Sequence, residues 1–236
     1  MTQQPPLHAL CSIALQKVVE TTAPIFERDQ SQALVLGFGT SVKVTERFRA
    51  GEPADLVLLT AALIDALTAE GKLIAGSRVD IAQSRVGLAV RADAPLPDIS
   101  NAERFKQVLL ASKSVAYSHP SSGGASGVHF AKVMARLGIA EAIDEHAKYG
   151  YGTPVAEFLL RGEADVAVQQ VSELKLVDGI QIVALPDEVQ SVTVFSAGIA
   201  TASTQAVAAR ALVDLLTGAN AAEAIAASGM ELVPAR

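Results

Sequence analysis

The stretch Ser118-His-Pro-Ser-Ser-Gly-Gly-Ala-Ser-Gly-Val-His-Phe-Ala-Lys-Val-Met134 decides the fold. A short apolar run, residues 114–117, precedes it, and apolar residues at helical spacing follow over 128–137. The order is strand, glycine- and serine-rich loop, helix. The loop has no acidic side chain and several hydroxyls. A helix start leaves backbone N–H groups unpaired and carries partial positive charge. Such a junction therefore suits an anion even without Lys or Arg.

The same grammar runs outward in both directions. Residues 7–12 read as a strand and 13–26 as a helix, with Ser12 as its N-cap. A strand over 33–37, a turn over 38–41 and a helix over 42–50 come next. Residues 55–59 are a buried-type strand, and the helix over 63–70 stops at Gly71. Further strands are expected at 85–91, 166–168, 181–184 and 192–195. Helices are expected at 102–111, 140–147, 154–161, 204–217 and 221–227. Thr153-Pro154 marks one helix start, since the N–H that proline lacks has no helical partner there. Alternation of this kind gives an α/β protein with mainly parallel sheets flanked by helices.

Four junctions carry small hydroxyl or glycine residues: Cys11-Ser12, Gly39-Thr40-Ser41, the loop from Ser121 through Ser122, Gly123, Gly124, Ala125 and Ser126 to Gly127, and Gly152-Thr153. In open α/β sheets these positions lie at the carboxyl ends of strands, where ligands bind. Each has a plainer role as well. Ser12 serves as a helix cap, and the glycines of the long loop permit unusual backbone angles. Ser84 reads equally well as a ligand contact or a strand-end hydroxyl.

Composition narrows the function classes. With 236 residues, half of them hydrophobic, the chain buries a core of one large unit or two lobes. A net charge of -6 and only 4% aromatics disfavour nucleic acid as a partner. Cys11 is the single cysteine, so an internal disulfide is impossible; no His-Glu pair has zinc-helix spacing, and no metal is expected. Gly37-Phe-Gly39 lacks the third glycine of a dinucleotide fingerprint, no Walker sequence occurs, and no cofactor is implied. The longest uncharged run, 189–209, carries too many polar residues for a membrane span. The amino end has no basic residue before its apolar run, which does not read as a signal peptide. The expected location is the periplasm if a leader has been removed, and the cytoplasm otherwise.

Several blocks resemble the bacterial molybdate-binding proteins and their relatives. They are Arg49-Ala-Gly-Glu-Pro-Ala-Asp-Leu-Val57, Ala69-Glu-Gly-Lys-Leu73, Arg161-Gly-Glu-Ala-Asp165 and the pattern from Ala209 to Gly229. The stretches from Ser84 to Ser100, Tyr117 to Gly127 and Val168 to Leu174 resemble a molybdate-binding-protein-like subgroup. The resemblance implies the two-lobed type II periplasmic binding protein fold with a ligand cleft between the lobes. It assigns residues 1–82 with 196–236 to lobe I and 83–195 to lobe II. It implies hinge crossings near 81–84 and 191–196, and an ABC permease as a partner. By position, the family's oxyanion serine falls on Ser12 and its second hydroxyl on Thr40 or Ser41. Backbone donors fall within 122–125 and near Gly152. The tyrosine of molybdate binders falls near Gln170, and Gln169-Gln170 suit a carboxylate or hydroxyl better than molybdate.

The expected function is non-catalytic binding of a small oxyanion or carboxylate, an organic acid rather than molybdate, for transport or sensing. The alternative is an enzyme on this fold. Aconitate isomerase activity is attributed to a relative of the molybdate-binding proteins, and allylic proton transfer would need a base, for which His119 is the candidate. A thermal-shift screen with molybdate, tungstate, sulfate and di- and tricarboxylates checks the ligand class. An anion at a hundred times its Kd is expected to stabilise the fold by about 2.7 kcal/mol. A response to molybdate overturns the reading of Gln170, and silence with every anion overturns the binding reading.

Overall fold

The computed structural model describes residues 4–233; residues 1–3 and 234–236, the outer ends of the expected first lobe, lie outside the described residues. The chain runs β1 (Leu7–Ser12), α1 (Gln16–Gln30), β2 (Leu34–Gly39), α2 (Ser41–Arg49), β3 (Leu56–Thr60), α3 (Ala61–Ala69), β4 (Val79–Arg91), α4 (Ala102–Ala111), β5 (Val115–Ser118) and α5 (Ala125–Leu137). It continues through α6 (Ala140–Asp144), β6 (Lys148–Gly150), α7 (Glu157–Leu160), β7 (Val166–Gln170), α8 (Val171–Leu174), β8 (Ile180–Ala184), β9 (Val192–Ile199), α9 (Ala206–Thr217), α10 (Ala219–Ala227) and β10 (Glu231–Leu232). Contacts divide it into two compact units. One comprises the chain up to Ser84 and from Thr193 onward; the other is Arg85–Val192.

In the first unit β1 lies between β2 and β3, parallel to both, with Ser12 opposite Gly39 and Cys11 opposite Leu58. β9 adds antiparallel to β3, and β10 pairs with the first half of β4. β1 and β3 are buried along nearly their whole length, which is why they read as continuous apolar runs. α1 buries Val18, Val19, Thr22 and Phe26, one face at helical spacing, against a core that includes Leu15, Leu56, Phe195, Leu212 and Leu216. The Glu52-Pro-Ala-Asp55 motif has a structural use here. Glu52 pairs with Arg47, and the Asp55 carboxylate accepts from the His8 backbone N–H at 3.0 Å and from the Ser203 hydroxyl at 2.7 Å. It staples the start of β1 to the segment after β9.

The second unit has the strand order β4-β7-β5-β6, with β8 on the other side of β4. β5 is parallel to β6 and β7, and β4 is antiparallel to β7 and β8. Its main core gathers Val86, Leu88, Phe105, Tyr117, Phe130, Met134 and Val168.

Several elements depart from expectation. β4 begins six residues before Arg85, because its first half pairs with β10. Ser12 caps no α-helix. It opens a 3-10 turn, Ile13–Leu15, and makes no side-chain cap bond, so α1 starts at Gln16. The helix expected over 154–161 shrinks to Glu157–Leu160. Its approach is closed by tight i to i+3 bonds, and the Val155 N–H goes to the Gln169 side chain instead. α5 starts at Ala125, three residues earlier than its apolar pattern, which brings the glycine-serine segment into its first turn.

Gly127 fixes where α5 meets β5. A Cβ there would sit 2.2 Å from the Ser118 carbonyl oxygen, so only glycine permits this approach. Gly127→Ala is expected to destabilise the protein by about 3 kcal/mol, measured by urea unfolding. A loss within about 0.5 kcal/mol, the range of neutral surface changes, contradicts the close contact.

Candidate functional site

In the first unit, Ser12 and the Thr40-Ser41 junction come together because β1 and β2 are in parallel register to their last residues. All three are nearly fully buried. Thr40 is the N-cap of α2, its hydroxyl accepting from the Lys43 N–H at 3.3 Å. The Ser12 hydroxyl makes no cap bond. Ser84 is buried in β4 at the boundary of the two units and has polar partners of its own.

In the second unit, β5, β6 and β7 end side by side, and the loops that follow them carry the other candidates. After β5 comes a 3-10 turn, Pro120–Ser122, closed by Gly123 in the left-handed region at φ 72°. The Ser122 hydroxyl donates to the His119 carbonyl at 2.7 Å. Gly124 is the N-cap of α5, and no side chain caps its first turn. The Ser126 hydroxyl in that turn is buried without a hydrogen-bond partner. This combination leaves neutral donors at a helix start with no acidic residue nearby in the turn.

His119 is half-buried and held on three sides. Its Nδ1 accepts from the Ser121 N–H at 3.2 Å and lies 2.7 Å from the Ser121 hydroxyl. Tyr151 stacks on its ring at 5.2 Å, and Tyr149 meets it edge-on at 4.8 Å. An Nδ1 that accepts from a backbone N–H carries no proton, so the neutral ring has its proton on Nε2. In that tautomer His119 presents an N–H donor at Nε2. Behind it, Tyr117 and Tyr149 both donate to the Asp144 carboxylate, and burial with that carboxylate alongside pushes the Tyr117 phenol up.

Gln169 is almost fully buried, and its amide is used within the unit. Its Nε2 donates to the Ser118 hydroxyl at 3.1 Å and reaches the Thr153 carbonyl at 3.3 Å, while its Oε1 accepts from the Val155 N–H at 2.9 Å. Gly152 takes φ 90° in the same turn, and the Thr153 side chain is exposed. Gln170 is buried at the N-cap of α8, opposite Val86 of β4, with polar partners of its own. Glu173, which the sequence pattern did not single out, is buried in α8. Burial pushes its carboxyl up to about 7, with the Gln169 bond opposing. The signal available in the sequence was a Glu within an otherwise uncharged strand-to-helix turn.

A cavity of about 440 Å³, lined by residues that include Phe48, Pro53, Lys72 and Thr201, lies at the opposite, amino end of β3 and shares no residue with these junctions. Among the described residues, no cluster of three His, Cys, Asp or Glu side chains could hold a metal ion, and no helix is long and apolar enough to cross a membrane.

Comparison with known proteins follows this geometry. The family model for bacterial extracellular solute-binding proteins matches residues 7–231. A curated relative, aconitate isomerase from Pseudomonas sp., is 38% identical over 98% of this chain and 89% of its own length. Among solved structures, the periplasmic molybdate-binding protein of Azotobacter vinelandii superposes with a TM-score of 0.80 at 19% identity, covering 97% of this chain and all of that one. The sulfate-binding protein SubI of Mycobacterium tuberculosis gives 0.75 at 18% identity, over 98% and 88% of the two chains. These likenesses establish the type II periplasmic binding protein fold.

Glu173 makes stability depend on pH. Its folded pKa lies above its ordinary value of 4.5, so its neutral form is favoured in the folded state. The associated stability is fully present below pH 4.5 and is lost as pH rises through about 7. Glu173→Gln is expected to flatten that decline and, at pH 8, to be more stable than the parent by up to about 3 kcal/mol. Urea midpoints at pH 5 and pH 8 for both proteins check this; parallel pH profiles contradict it.

Proposed function

The chain belongs to the bacterial extracellular solute-binding protein family, and from that premise we propose that it acts on a small tricarboxylate of the aconitate type. The observation that carries this reading is the 38% identity to an aconitate isomerase over nearly the whole of both chains. The solved structures, below 20% identity, speak to fold alone. The sequence by itself favoured binding without catalysis; the curated relative supports the catalytic alternative, while the family description supports binding.

The geometry of each unit suits a carboxylate. The first unit offers buried hydroxyls at Ser12, Thr40 and Ser41. The second offers the uncapped first turn of α5 and the Nε2–H of His119. Fixed neutral donors stabilise negative charge where water is excluded, and they do so most where charge develops during a reaction. Isomerisation of an aconitate breaks a C–H bond at the methylene carbon and forms one at the former vinyl carbon as the double bond shifts. A general base takes the methylene proton and returns it to the former vinyl carbon, and no oxidant or second substrate enters. Between the two steps the charge spreads into a carboxylate, where His119 Nε2–H would donate.

A second reading is delivery of the same anion to an ABC permease, or its sensing, without turnover. It is favoured by the family's description as solute-binding. Nuclear magnetic resonance of purified protein with cis- and trans-aconitate separates the two. The expected result is interconversion. His119→Ala is expected to lower its rate roughly tenfold or more, and His119→Gln, which retains an N–H donor, by less. A thermal shift with no interconversion favours transport or sensing. Neither response overturns both.

A further inference from the structure

Two neighbouring segments carry rings at alternate positions: Tyr117 and His119 on one, Tyr149 and Tyr151 on the other. β5 and β6 run parallel, with Tyr117 opposite Tyr149 and Ser118 opposite Gly150, and the His119 N–H extends the pairing to the Gly150 carbonyl at 3.0 Å. Side chains two residues apart share a face of a strand, so the four rings gather on one side. Tyr117 and Tyr149 meet edge to face at 5.1 Å and 72°, and Tyr149 meets His119 at 4.8 Å and 79°. Tyr151 closes the row, its ring only 23° from the plane of the imidazole and 5.2 Å from its centre. Tyr149 is held from behind, where its hydroxyl donates to the Asp144 carboxylate at 3.2 Å. Tyr151 is 57% exposed, so its own burial contributes little to keeping it there.

An imidazole turns about two side-chain torsions, and the Ser121 contact pins only its Nδ1 edge. A further restraint is needed to fix the plane of the ring, and with it the direction of Nε2–H. Tyr149 limits that plane edge-on, and Tyr151 covers one face of it. We propose that Tyr151 is a positioning residue: stacked on His119, it holds the imidazole in the plane in which Nδ1 accepts from Ser121 and Nε2–H is presented to the ligand. This rests on the reading of His119 as a carboxylate donor given above. Stacked and edge-to-face ring contacts shift an equilibrium by roughly two- to tenfold, enough for one ring orientation to dominate. The ring of Tyr151 supplies this restraint, and its phenol oxygen is not required.

The test is a double-mutant cycle of Tyr151 and His119 in the full chain, read as interconversion of cis- and trans-aconitate. Tyr151→Phe is expected to stay within about twofold of the parent, and Tyr151→Ala to lose about fivefold in kcat with KM changed by less than about twofold. In a His119→Ala background, Tyr151→Ala is expected to cost nothing further. An equal loss in both backgrounds, or a loss in Tyr151→Phe as large as in Tyr151→Ala, overturns the inference. If the parent binds trans-aconitate without turnover, the same cycle is read in affinity. The unliganded protein gives a second readout, long-range proton–nitrogen spectra of the imidazoles, with His119 assigned through His119→Ala. The parent and Tyr151→Phe are expected to show one tautomer of His119, protonated at Nε2, and Tyr151→Ala a mixture of the two. An unchanged tautomer in Tyr151→Ala overturns the inference. A parent that neither binds nor interconverts aconitate overturns the carboxylate reading, and the imidazole spectra then decide the restraint by Tyr151 alone.

Discussion

One side-chain amide holds the second unit's candidate site in shape. Gln169, at the end of β7, ties together the last residue of β5, the turn after β6 and the approach to α7. Each bond satisfies a polar group that would otherwise be buried or half-buried without a partner, at a cost of about 1–3 kcal/mol apiece. An apolar residue of the same size would leave Ser118 Oγ, the Thr153 carbonyl and the Val155 N–H to find other partners. Gln169 acts here as a brace, and the loops that present donors are fixed because it is buried and bonded at both ends of its amide.

The donors themselves are neutral, and this shapes the chemistry. The first turn of α5 has neither a capping side chain nor an acidic residue, while Arg136 sits in its last turn, where it complements the helix dipole. Negative charge at the start of α5 is favoured by the fold before any ligand-specific contact is made.

The order of strands and helices was readable from apolar spacing, because burial of one face imposes a period that local sequence records. So were the junctions at Ser12, Thr40, Ser41 and Ser121 to Ser126 as strand-to-helix turns, since small hydroxyl and glycine residues favour such turns. Element boundaries were less readable where a distant partner sets them. β4 is lengthened by β10, from the far end of the chain, and the start of α7 is delayed by Gln169. The short elements β6, α8 and β10 carry too few residues to show a period. His119 reads in sequence as a candidate base by residue type alone; the contact of its Nδ1 with the Ser121 N–H is one that composition does not reveal.

The sequence alone determined an α/β protein with anion-suited strand-to-helix junctions, because hydrophobic period and backbone preference are local properties. The tertiary structure alone decided which of those polar residues are buried and which groups they bond. Gln169 reads in sequence as a candidate ligand contact at a strand end, and Glu173 is not singled out there. Only the packing of α8 against β7 and β8 buries Glu173, and that burial pushes its carboxyl up to about 7. Burial is a property of the assembled sheet, and the pH range in which Glu173 titrates follows from it.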